Sequence, residues 1–231
     1  DLYYAGKISR QEAEYLLTFC NNPSPAFLIT YVGNICLEGK MPVGNLAGVL
    51  FGADMICMCF FRFIYIKNCK TRYKDGSCKQ NYAKICSVET DAIKTEINLN
   101  KAEIDLSETD WGMVIDNGIM NGFETITRLG GYILLFSILS ASISHFWFFP
   151  LAGKYIFLGI LELTTGLHGL MISGFSYQIR VLLAMCFCSF GGLCIMAQTK
   201  SVLGKELSLH PYASAKCMNT AITAVLTLIF L

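Results

Sequence analysis

An all-α integral membrane protein with broken or re-entrant helices is the fold this sequence predicts, and three observations predict it. Of its 231 residues 54% are hydrophobic and only 15% charged, with a mean hydropathy of +0.49, whereas a soluble domain carries about 25% charged residues. Several apolar stretches are long enough to cross about 30 Å of hydrocarbon as helices. Three interruptions, Asn21–Pro25, Thr164–Gly166 and Ser189–Gly192, break the apolar pattern, and an interrupted segment survives at membrane depth only where protein or a watery cavity covers it.

The elements follow in order. Ser9 with Glu12 forms a capping box for a helix through SRQEAEYLLTFC, which Asn21, Asn22, Pro23, Ser24 and Pro25 end before PAFLITYVGNICL starts a second half-helix. Val43–Ile66 is the first span, with Asp54 near its middle and Arg62 snorkelling at its end. The polar stretch Lys67–Asp110 opens with KNCKTRYKDGSCKQNYAK, six Lys or Arg against one acid, which the positive-inside rule places in the cytoplasm. Its second part, from Glu89 to Asp110, is acidic and is expected to be flexible, and the insert as a whole, deleted over residues 75–105, is expected to be dispensable for transport. Ser107 and Asp110 then cap an amphipathic helix, WGMVIDNGIMNGFETITRLGG. It leads into the span Leu129–Phe149, which Pro150 stops. Tyr155–Ser173 is long enough to cross, yet LELTTGLHG in its middle breaks it, so it crosses once or doubles back. Ile179–Ala197 and Pro211–Leu231 are the last spans.

GKIS at 6–9 and LGKELS at 203–208 each precede an apolar segment, as internal repeats would. The expected division is a remnant of a first repeat over 1–66, a charged cytoplasmic insert over 67–110, and a second repeat over 111–231. Beginning at Asp1 rather than Met, the chain reads as a piece of a longer protein.

Composition also excludes function classes. A net charge of +1 gives no electrostatic footprint for nucleic acid. The eleven Cys are an odd number, several of them inside apolar stretches, which points to a reducing compartment without a disulfide framework. Cys69, Cys78 and Cys86 lack zinc-ligand spacing, so neither a metal nor another cofactor is expected. With no nucleophile-base pair and no phosphate loop in view, the chain does not read as an enzyme.

The interruptions are where function is expected. Secondary transporters build solute sites from discontinuous helices whose half-helix N-termini face anionic groups. The substrate-binding candidates are accordingly Asn21, Asn22 and Ser24 at the first break, Thr164, Thr165 and Gly166 at the second, and Ser189, Gly191 and Gly192 at the third. Glu162 and Asp54, carboxyl groups inside apolar segments, are the ion-coupling candidates for a proton or sodium ion. His168 reads as a satisfied interior histidine.

LYYAGKISRQEAEYLLTFCNNPSPAFL, LELTTGLHGL and FGGLCIMAQTKSVL, in this order, resemble the YlbJ-type sporulation integral membrane proteins, also called stage V sporulation protein V. These belong to the nucleoside-recognition or gate superfamily, which is similar to concentrative nucleoside transporters. The resemblance covers nearly the whole chain except the stretch from Lys67 to about Glu108. The family's Ala-Gln pair stands here as Ala197-Gln198, which adds Gln198 to the substrate-binding set, with Met196 where the family tends to have His. The family's Gly-Tyr-Pro-x-Gly-Ala motif would lie upstream of Asp1.

The resemblance implies a bacterial protein of the outer forespore membrane that passes a small anion, dipicolinic acid, late in sporulation. Two other readings stay open: an ion-coupled nucleoside transporter, and a non-transporting scaffold of spore-envelope assembly that docks through the charged insert. A homo-oligomer is open in each case. The lipid bilayer is the one partner that composition alone requires.

Overall fold

In the computed structural model the described residues are 3, 8–74, 111–148, 150–203 and 206–231. Most of the expected insert, the Ser107 and Asp110 cap, and parts of both repeat-like segments lie outside them. Described residues form helices and no strands. The helices are α1 Arg10–Leu17, α2 Pro25–Cys36, α3 Val43–Lys74, α4 Trp111–His145, α5 Leu151–Leu161, α6 Leu163–Ile172, α7 Tyr177–Phe190, α8 Gly192–Val202 and α9 His210–Phe230. Among the described residues four stretches are long and apolar enough to cross a membrane: Val43–Ile64, Gly118–His145, Tyr177–Val202 and His210–Phe230. The chain is an all-α integral membrane protein.

Local chemistry sets the ends. Ser9 caps α1, with its hydroxyl accepting from the Glu12 N–H while Glu12 accepts from the Ser9 N–H. Ser24 accepts from the Phe27 N–H and Pro25 fills the first turn of α2, where its missing N–H is harmless. From Leu28 to Cys36 α2 winds as a π-helix, a form that is rare and usually confined to a single turn. Glu38 and Gly39, both at positive φ, turn the chain toward α3. Contrary to a loop starting at Lys67, α3 runs on through the basic residues to Lys74. The expected amphipathic helix and its span are one helix, α4, which ends at His145 rather than Phe149. The Trp147 indole N–H then donates to the Pro150 carbonyl.

Tyr155–Ser173 doubles back. The 11 residues of α5 and 10 of α6 measure about 16 and 15 Å, half the hydrocarbon thickness. They lie antiparallel: a Cβ on Gly166 would overlap the Gly159 Cα, and one on Gly169 would press on the Tyr155 ring. The interruption falls at Glu162, with φ −146° and ψ 128°, not at Thr164–Gly166. Those three residues form the first turn of α6 instead, because the Glu162 side chain caps it. In the third interruption Ser189 stays helical, and only Gly191, at φ 81°, separates α7 from α8.

The backbone divides into two compact units, residues 1–62 with 127–231, and residues 63–126. In the smaller unit the described residues are the end of α3 and the start of α4. Within the larger unit two polar layers orient the crossings. One holds Glu38, Lys40, Tyr177 and Arg180, where the Arg180 guanidinium donates to Glu38 at 3.2 Å. The other holds Arg62 over the Tyr15 ring, and Glu14 accepting from the Ser208 N–H. α1–α2 therefore runs from the Arg62 layer to the Lys40 layer, α3 and α7–α8 run back, and α9 starts from the Arg62 layer. Lys200, near the end of α8, lies toward the Arg62 layer. Between the layers sits an apolar core in which Leu28, Val32, Leu46 and Val49 meet Leu167, Leu170, Val181 and Met185.

Candidate functional site

Two interrupted crossings, α1–α2 and α7–α8, and the tip of the α5–α6 hairpin bring the polar residues of the larger unit together. At the first interruption Asn21 takes a left-handed φ of 57°, a conformation in which Asn is enriched. Its side-chain amide donates to Thr199 Oγ1 at 2.7 Å. The Asn22 amide bridges two charged residues. Its Nδ2 donates to Asp54 at 2.9 Å, and its Oδ1 accepts from Lys216 Nζ at 2.7 Å. Lys216 donates also to the Asn21 main-chain carbonyl at 3.2 Å, and Asn219 donates to the other Asp54 oxygen at 2.6 Å. Lys216 is only 1% exposed.

At the hairpin tip Glu162, 4% exposed, turns its carboxylate onto the start of α6. It accepts from the N–H groups of Thr164 at 2.9 Å and Thr165 at 2.6 Å, and from both threonine hydroxyls. Those N–H groups are among the four that any helix start leaves unpaired, so the carboxylate occupies the place where a ligand anion would otherwise be held. The start of α8 differs. Its cap is Gly191, which has no side chain to offer. A Cβ on Gly192 would stand 3.3 Å from both the Leu161 carbonyl and the Leu163 N–H, so the α7–α8 interruption lies directly against the hairpin tip.

One face of α9 joins these places. Tyr212, Lys216, Asn219, Thr223 and Thr227 are buried at three- and four-residue spacing, which is one side of a helix. The Thr223 hydroxyl donates to Ser189 Oγ at 3.0 Å. A stripe of polar groups thus runs inward from the Arg62 side toward the α7–α8 interruption. Beside it a cavity of about 10 Å³ is lined by Asn22, Asp54, Ser189 and Asn219 among others, which is room for about one water. Asn219 Oδ1 faces the interior without a hydrogen-bond partner among the described residues.

The structure brings Asn21, Asn22, Asp54 and Ser189 into this network, and Glu162, Thr164, Thr165, Gly191 and Gly192 into the neighbouring hairpin contact. Three other candidates fall elsewhere. Ser24 is an exposed helix cap. Gly166 packs the hairpin. Gln198 donates to Cys194 Sγ one turn back on α8. His168 is exposed rather than interior. Sequence reasoning missed Lys216, Asn219, Thr199 and Thr223. Among the described residues no three His, Cys, Asp or Glu side chains group so as to hold a metal ion.

Ordinary electrostatics govern the two polar layers. The Lys40 ammonium, then the Arg180 guanidinium, hold the Glu38 carboxyl below its usual range. The Ser9 N–H, then its hydroxyl, do the same for Glu12.

These features define a class, an integral membrane protein built on interrupted helices around an interior polar stripe. No family model, curated protein or solved structure matches the chain.

Proposed function

We propose that the chain is part of a membrane transporter for a small polar solute, as in the YlbJ-type proteins it resembles, with dipicolinate crossing the outer forespore membrane as the specific case. The observation that carries this reading is the meeting of a half-depth hairpin tip with an interrupted crossing beside a buried polar stripe. Transporters place solutes and coupling ions at such breaks. The start of α8, capped by a glycine alone, offers N–H groups to one carboxylate of an anion. Passage requires the hairpin and the interrupted crossings to part, since the cavity has room for about one water.

A second reading, ion-coupled transport of a neutral nucleoside, is favoured by the amides of Asn21, Asn22 and Asn219 and by Glu162 filling the α6 end. Radiolabelled dipicolinate and uridine, offered in parallel to vesicles containing the protein, separate the two.

In either case we assign Glu162 the coupling role. Glu162→Gln retains the side chain's size but does not titrate. The expected variant inserts and binds solute, yet loses pH-dependent, concentrative uptake. Uptake with unchanged rate and pH dependence would sink the coupling role and leave Glu162 a helix cap.

A further inference from the structure

We infer that Lys216 is a resident cation: its ammonium fills a monovalent-cation site formed by the Asn21 carbonyl and the Asn22 amide oxygen, with Asp54 as counter-charge across the Asn22 amide. Both hydrogen-bond partners of Nζ among the described residues are acceptor oxygens, at 3.2 and 2.7 Å. Main-chain carbonyls freed where a membrane helix unwinds are the oxygens that small monovalent cations take. The Tyr212 ring, 5.7 Å from Nζ, adds its face to the same position. The left-handed turn at Asn21 matters because it belongs to the break that frees this carbonyl from helical pairing.

Charge balance gives the reason for a tether. Asp54 takes both of its described hydrogen bonds from neutral amides, Asn22 and Asn219, and a half-buried carboxylate gains from an opposite charge nearby. Lys216 is the basic group placed to balance it, one amide away. Because that cation is covalently part of α9, it cannot dissociate, and no free ion is needed at this break. An exchangeable coupling ion, if the protein uses one, belongs elsewhere, with Glu162 the buried carboxylate among the described residues. Shortening the lysine frees the Asn21 carbonyl and the Asn22 amide oxygen that its ammonium now occupies, with the unpartnered Asn219 oxygen on the same face of α9. The inference rests on this geometry and not on the transport reading.

The test is thermal stability of the detergent-purified protein in choline, lithium, sodium and potassium chloride at equal ionic strength. The wild type should give one Tm in all four salts. Lys216→Ala should melt lower in choline and regain stability, with rising concentration, in at least one of the small cations. Choline is too large to follow them into the space vacated by the side chain. Lys216→Met, which keeps most of the stem's bulk and removes the ammonium, gives the same readout if the alanine variant does not fold. Adding Asp54→Asn to either variant should abolish the salt preference. A wild type selectively stabilised by one small cation would overturn the inference, because the site would then not be filled. So would Lys216 variants that match the wild type in choline, or that show no preference among the four salts.

Discussion

The interruption at Asn21–Asn22 and the one at Glu162 meet the same need, partners for backbone groups that a broken helix leaves open, with residues at opposite ends of sequence distance. Glu162 works locally: its donors are two and three residues on. Asn21 and Asn22 depend on Thr199 and Lys216, 178 and 194 residues away, and on Asp54, 32 residues away. The hairpin tip can therefore take shape as soon as its own turn forms. The first break has one local side-chain bond, from the Asn22 amide to the Phe19 carbonyl, and completes its other side-chain bonds only when α3, α8 and α9 are in place. Self-contained caps persist when neighbours move, whereas a network spread over four segments reports on whether they are assembled.

The largest expected effect tests the spread network. Replacing Asn21 and Asn22 together with Leu removes one hydrogen bond each from Thr199, Lys216 and Asp54, at about 0.5–1.5 kcal/mol for a neutral pair and about 1.5–3 kcal/mol for a bond to a charged group. A steep loss of Tm and of solute accumulation is expected. Normal accumulation would reduce this break to a packing detail.

An intermediate effect is expected for the hairpin. Gly166→Ala would drive a methyl group into the Gly159 backbone, which cannot swing aside as a side chain could. Overpacking typically costs about 1–3 kcal/mol, and this position belongs at the top of that range. Gly131→Ala, with nothing within 4 Å of its new methyl, is the matched control and should melt like the wild type. Equal Tm values for the two variants would contradict the close antiparallel packing of α5 and α6.

The smallest effect concerns α1, which leads into the first break. Hydrogen bonds from Ser9 hold the Glu12 carboxyl below its ordinary range. A depressed carboxyl stabilises the folded state fully above its unfolded value, about 4.3, and that contribution fades as the pH falls through the lower folded value. Protection of the α1 amides from hydrogen exchange should decline on acidification in the wild type. It should depend less on pH in Glu12→Gln.

How much of this could be read from the sequence depends on the range of the interaction concerned. The capping box at Ser9, the Asn-Pro break and the glycine break rest on residue types whose backbone preferences are intrinsic, and these were legible. Glu162 was singled out, but the break was placed two residues late. Thr164-Thr165-Gly166 resembles a helix stop, and Glu is not among the usual capping residues. Residues 155–173 number nineteen, the right length for a span, so length alone could not show a hairpin. The close approach of Gly159 and Gly166 is a tertiary fact. Lys216 lies about 9 Å along α9, where a lysine ordinarily reaches back to the interface. The available signal was the polar series Tyr212, Lys216, Asn219, Thr223 and Thr227, an interior-facing stripe within a lipid-spanning helix.

Gly192 rests on the main chain of Leu161, Glu162 and Leu163 with no side chain between them. Side chains in an interface act as springs, since rotamers yield before backbones do. Here there is no spring at the point of contact. A push on the hairpin tip is passed undiminished to the joint between α7 and α8, and a rotation of that joint presses directly on the tip. At this point the two pieces can yield only by separating, and the compliance that such an opening needs must reside at the softer ends of these segments.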